Sequence, residues 1–127
     1  MFKKSKPEPK LNTYSRPFAK HFKGFKRFPV VQHGIGDAEA NCKYLSDNGI
    51  QSDTVIFVEK MSRNNELYIE VYVDNRQIGS IFDSEQIKAV QSEAFSDVHV
   101  RFETQTIVGK RSSEEREHAL VFVKYKE

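Results

Sequence analysis

The chain has no tryptophan, one cysteine (Cys42), four prolines and four histidines among its 127 residues. A single cysteine excludes an intramolecular disulfide framework and fits a reducing compartment. No apolar run approaches the roughly 20 residues that a bilayer-spanning helix needs. The basic N-terminus is not followed by the hydrophobic stretch of a secretion signal. Together these absences lead us to expect a cytoplasmic location. His21, His33, His99, His118 and Cys42 show no metal-ligand spacing, so neither a metal nor another cofactor is expected. There is no Gly-x-Ser-x-Gly elbow and no thiol-protease signature. Gly34-Ile35-Gly36 lacks the lysine of a phosphate loop. Cys42 falls on an apolar stripe, where a buried small hydrophobe is the ordinary role. The expectation is a protein that is not an enzyme.

Charge is present, and unevenly placed. Residues 1–28 hold nine Lys/Arg against Glu8 alone, a net of +8, whereas residues 29–127 carry a net of −6. A basic leading arm on an acidic body suggests an arm that meets a polyanion. We divide the chain accordingly: residues 1–27 as a basic, Phe-containing arm, partly disordered, and residues 28–127 as one domain. Within the arm, Ser15 and Pro17 could open a short helix carrying Phe18, Phe22, Phe25 and Phe28 on one stripe.

The body is organised around residues 67–81. Leu67, Ile69, Val71 and Val73 alternate with Tyr68, Glu70, Tyr72 and Asp74, which predicts a half-buried strand. Asp74-Asn75-Arg76 suits a tight turn into a return strand, where Gly79 marks a bulge or a close backbone approach. Further strands are expected at 28–33, 54–60, 97–108 and 119–125, with 109–117 as an exposed loop. Asp37 and Asn48-Gly49 bracket one helix. Asp83 or Ser84 caps a second, with Gln86 placed for a capping box with Asp83 and Phe95 at its end. The order is β-α-β-β-β-α-β-β: an α+β chain, mostly β, whose six short antiparallel strands would curl into a small barrel.

This order, with Phe28-Pro-Val-Val31, Thr54-Val-Ile-Phe-Val-Glu59, Tyr68-Ile-Glu-Val-Tyr-Val73 and Gln77-Ile-Gly79, resembles HIRAN domains over residues 28–108. The resemblance implies an OB/SH3-like six-stranded barrel with two short helices. It also implies a pocket for the 3′ end of single-stranded DNA. In that family an Asn-Pro-Tyr-Asp-type loop and a Lys after the Ile/Val-Gly pair help form the pocket. Here Ser62-Arg63-Asn64-Asn65 and Ser80-Ile81-Phe82-Asp83 stand in those places.

Two functions follow as expectations. The first is a nucleic-acid-binding module, DNA being the expected partner. Lys20, Lys23, Lys26 and Arg27 of the arm would contact phosphates, with Arg63, Tyr68, Tyr72 and Arg76 on the barrel face. The alternative is a protein–protein interaction module, in which an acidic body of the kind found in small phage or mobile-element proteins meets a basic partner surface. The carboxylates Glu66, Glu70, Asp74 and Asp83 near the central hairpin read as a solvated acidic face.

Overall fold

The computed structural model describes residues 11–15, 24–49 and 54–127. Among these residues, seven strands and two helices run in the order β1 (Leu11–Ser15), β2 (Lys26–Arg27), α1 (Ala38–Asp47), β3 (Thr54–Met61), β4 (Leu67–Val73), β5 (Arg76–Ile81), α2 (Ser84–Gln91), β6 (Phe95–Val108) and β7 (Ser113–Tyr125). They form two open antiparallel sheets, β1-β3-β4-β5 and β2-β7-β6. Among the described residues no helix is long and apolar enough to cross a membrane.

The six-stranded closed barrel, and with it the HIRAN resemblance, is not what the chain forms. Closure requires the edge of one sheet to hydrogen-bond along the edge of the other. Here β5 meets the segment from the other sheet at one isolated bridge, Val31↔Ser80. The expected first strand at 28–33 is instead a strap between the sheets. Phe28 N donates to Val121 O (2.8 Å) on one side, and Val31 and Ser80 exchange two 2.8 Å bonds on the other. Pro29, which has no N–H, sits between those anchors and cannot contribute to a ladder.

A core between the sheets does the joining. Phe57, Ile69, Val71, Val73, Ile78 and Ile81 of the first sheet share one cluster with Phe95, Val98, Val100, Val121 and Val123 of the second. Phe28, Phe57 and Phe95 meet ring to ring at its centre, with centroids 5.1–6.3 Å apart. Phe95, expected at the end of the second helix, opens β6 and is buried. Helix α1 buries Ala38, Cys42 and Leu45, and α2 buries Ile87 and Val90.

The local signals act as their chemistry dictates, with two differences. Asp74 and Asn75 both take positive φ (49° and 61°), the conformation of a two-residue hairpin turn whose twist matches the strands. The β4–β5 register shifts between Val71 and Tyr72. Gly49 ends α1 at φ 62°. Asp83 accepts from Gln86 N (3.0 Å). The capping box does not close, because Gln86 Nε2 donates to Pro29 O (2.9 Å) instead. Asp37 occupies the N-cap of α1 without a side-chain bond.

The leading segment contributes to both sheets. β1 pairs with β3, so Ser15 lies in a strand and does not cap a helix. β2 pairs with β7. Phe25 lies edge-on to buried His99, with centroids 5.2 Å apart. Disorder is expected from Met1 to Thr13, but Leu11, Asn12 and Thr13 lie in β1, paired with β3; residues 1–10 of that stretch, together with Phe18, Lys20, Phe22 and Lys23, lie outside the described residues. The expected loop at 109–117 shrinks to 109–112, since β7 begins at Ser113.

Candidate functional site

The outer face of β4 carries Tyr68, Glu70 and Tyr72, opposite the core-facing Ile69, Val71 and Val73. Their register neighbours are Lys60, Val58 and Ile56 on β3. Where β5 ends, Phe82 turns back onto this face and stacks on Tyr68, with centroids 5.5 Å apart and planes at 25°. This pair walls a pocket of about 590 Å³, within the range of small-ligand sites. The floor is Glu70, Gln77 and Ser80, the β3–β4 loop supplies Ser62, Asn64 and Glu66, and the far side is Gly34-Ile35-Gly36.

That far side is held by anchors to both sheets. Gln32 donates to Ala119 O (2.7 Å) and accepts from Ala119 N (2.8 Å), while the Val31–Ser80 bridge ties the preceding residue to β5. Arg116 of β7 places Nη1 2.9 Å from His33 Nδ1 and Nε 3.6 Å from Glu39. On the floor, Gln77 Nε2 donates to Ser80 Oγ (3.0 Å). The β3–β4 loop is set by Ser62 Oγ, which accepts from Asn64 N and Glu66 N.

The electrostatics of the pocket are acidic. Glu70, whose side chain is 17% exposed, accepts from the Tyr72 hydroxyl (2.8 Å) and lies 4.0 Å from Lys60 Nζ. Glu66 is exposed at the rim. No Lys or Arg is among the residues lining the pocket.

Burial, then the hydrogen bond to Glu70 and that carboxylate's charge, push the Tyr72 phenol up to about 12. The raised value means that folding favours the protonated phenol. Its contribution to stability is complete below pH 10 and is lost as pH rises through about 12. Alkaline titration followed by phenolate absorbance should therefore show one tyrosine ionising near pH 12 in the folded protein, and Glu70→Gln should move that step down.

Of the residues expected to bind nucleic acid, those described do not converge on one place. Tyr68 and Tyr72 share the outer face of β4, and Arg63 sits exposed in the adjoining β3–β4 loop. Arg76 is at the opposite end of the hairpin, its guanidinium 3.6 Å over the Tyr44 ring. Lys26 and Arg27 belong to the other sheet, with Arg27 5.8 Å over Phe122. Reasoning from the sequence missed Phe82 and Gln77, and it took Glu66 and Glu70 for a solvated face. The period-two alternation that put Glu70 beside Tyr68 was the available signal. Of the other two carboxylates, Asp83 caps α2 and Asp74 sits in the hairpin turn.

Nucleophilic chemistry finds no support at Cys42. Burial raises its thiol to about 12, and Sγ lies 3.6 Å from Gln32 Oε1. Among the described residues no group of His, Cys, Asp or Glu could hold a metal ion. Compared with protein-family models, with curated proteins and with solved structures, the chain gives no match.

Proposed function

We propose that this chain is a non-enzymatic protein-interaction module that captures a Lys or Arg side chain of a partner protein in the Tyr68–Phe82 pocket. The observation that carries this reading is the pairing of an aromatic wall with Glu66 and Glu70 in a pocket lined by no cation. Aromatic faces attract cations through the ring quadrupole. A carboxylate at the base adds a charge-assisted hydrogen bond. Phe82 is 53% exposed, so its ring face is open to an incoming group. A nucleic-acid phosphate at the same place would meet two carboxylates. The volume accommodates a basic residue with its flanking backbone.

Anisotropy of labelled hexalysine and hexa-arginine, titrated with the full chain, tests the reading. Binding should weaken about tenfold in Glu66→Gln/Glu70→Gln and several-fold in Phe82→Ala. Glu85→Gln, the same charge change on the exposed start of α2, should leave it unaltered. Equal losses in all three variants would reduce the effect to bulk charge and sink the pocket. The same titration with labelled single-stranded DNA is the competing arm. Tight, salt-sensitive DNA binding with no peptide binding would favour the nucleic-acid reading, supported by the exposed Lys26 and Arg27 on β2.

A further inference from the structure

Building on the cation-site reading of the Tyr68–Phe82 pocket, we infer that its partner is a second copy of this chain, whose β6–β7 hairpin tip places Arg111 in the pocket and Lys110 at the rim. The outer part of that hairpin is a ladder running from Thr104↔Glu117 to Val108↔Ser113. Ser113, Glu114 and Glu115 are consecutive and all exposed, as are Thr104, Thr106 and Val108 on the other strand. Consecutive strand residues point to opposite faces, so this part of the hairpin is covered on neither face. At its end Gly109 N donates to Ser112 O (2.7 Å), which leaves Lys110 and Arg111 as the two middle residues of the turn. Both are exposed, and neither joins an ion pair or hydrogen bond among the described residues. The carboxylates nearest in sequence, Glu114 and Glu115, are set back along β7, and Glu114 is held 3.1 Å from Arg116. Val108, 77% exposed, sits just before the turn. The tip thus presents two unpaired cations beside an uncovered apolar side chain.

The tip cannot serve the pocket of its own chain. The hairpin passes that pocket at Arg116, whose Nη1 lies 2.9 Å from His33 Nδ1, and His33 directly precedes Gly34 of the pocket wall. Ser113 stands three residues further along the ladder, roughly 10 Å at the rise of a strand, and the turn lies beyond it. No residue of β6 or β7 lines the pocket. Turning the tip inward would break the ladder that holds it out. Each chain therefore carries a cationic tip and an acidic aromatic pocket on neighbouring parts of its surface. A two-fold axis between two copies lets each tip enter the other's pocket and closes the assembly at a dimer.

The pocket suits Arg111 better than Lys110. A guanidinium is planar, stacks on an aromatic face and offers a fork of N–H donors to a carboxylate. Phe82 supplies the open ring face. The contacts Glu70 makes, with the Tyr72 hydroxyl at 2.8 Å and with Lys60 Nζ at 4.0 Å, both fall on Oε1. Oε2 is left for an incoming donor. Glu66, exposed at the rim, is placed for the Lys110 ammonium.

Sedimentation velocity on the full chain, over a concentration series, is the test. The wild type should form a concentration-dependent dimer that excess hexa-arginine dissociates. Lys110→Ala/Arg111→Ala and Glu66→Gln/Glu70→Gln each remove both symmetric contacts. Each should weaken the dimer about a hundredfold, roughly tenfold for each contact. An equimolar mixture of the two should recover about tenfold, because the intact tip of one variant meets the intact pocket of the other. Glu85→Gln/Glu93→Gln, the same charge change outside the pocket, should associate like the wild type. Equal loss in that control, a dimer indifferent to the tip substitutions, or variants not rescued by mixing each overturn the inference. So does a wild type that stays monomeric. If that monomer still binds hexa-arginine through Glu66 and Glu70, the pocket reading stands without the second copy; if it binds no peptide, both fall.

Discussion

Phe57→Ala should destabilise the protein by about 3–5 kcal/mol, the usual range for a buried phenylalanine truncated to alanine. Phe57 has no exposed surface, and it is where the sheets are joined. It reaches from β3 to Phe95 of β6 and to Phe28 of the strap, each 6.3 Å between centroids. Truncation removes the ring contacts to Phe28 and Phe95 and leaves a cavity between two sheets that share no ladder among the described residues. Total stabilities of small domains are about 5–15 kcal/mol, so a large part of the margin goes with one side chain. Urea denaturation should show a lower midpoint with an unchanged slope. Phe57→Leu, close in volume, should cost under about 1.5 kcal/mol. A loss as small for alanine as for leucine would mean that the sheets are held by something other than this cluster.

Much of the local structure could be read from the sequence, because local structure is what alternation and turn chemistry encode. The β4–β5 hairpin follows from Ile69, Val71 and Val73 on one face and from an Asp-Asn turn that tolerates positive φ. The two helices follow from Asp83, Gly49 and their apolar stripes. Barrel closure is a different kind of property. It depends on which edges meet, and period-two patterning is the same for a strand in a barrel and in an open sheet. The strap at 28–33 illustrates the difficulty. Phe28 is buried like a strand residue, but the segment divides its hydrogen bonds between two sheets. The start of β7 was hidden for the opposite reason. Ser113, Glu114 and Glu115 are exposed on both faces, so the ladder to β6 holds them with no apolar signal. β2 is too short, at two residues, to show any period.

The pocket was half legible. Tyr68 was singled out for its face of β4, and Glu70 belongs to the same face by alternation. Phe82 carries no periodicity, since it lies just beyond β5 and reaches Tyr68 through the turn of the chain into α2. Glu66 is exposed, as expected; the misreading of Glu70 as solvated came from treating that face as flat. The Gly34–Gly36 wall makes it concave, and its placement depends on contacts far apart in sequence: Gln32 with Ala119, and Val31 with Ser80.

That placement makes Gly79→Ala the sharpest probe of how the fold serves the pocket. A Cβ at residue 79 would lie 2.8 Å from Val31 O and 2.9 Å from Val30 Cγ2. The first is a backbone atom that accepts from Ser80 N, so it cannot swing aside without breaking the bridge. Ser80 is 1% exposed, and its N–H would lose its partner away from water. Overpacking and an unsatisfied buried donor together give an expected cost of about 2–4 kcal/mol. At Gly34 an added Cβ meets nothing within 4 Å, and only its φ of 77° opposes a side chain. That limits Gly34→Ala to the left-handed backbone penalty of about 1–2 kcal/mol. The two alanine variants therefore separate strain in the loop from loss of its anchor. Gly79→Ala should lower the denaturation midpoint, and, under conditions where it remains folded, it should also weaken hexalysine binding by releasing the Gly34–Gly36 wall. Stability lost with binding intact would show that the wall is held by Gln32 and Ala119 alone. Binding lost with stability intact would show that Val31 moves to admit the methyl group and carries the pocket with it.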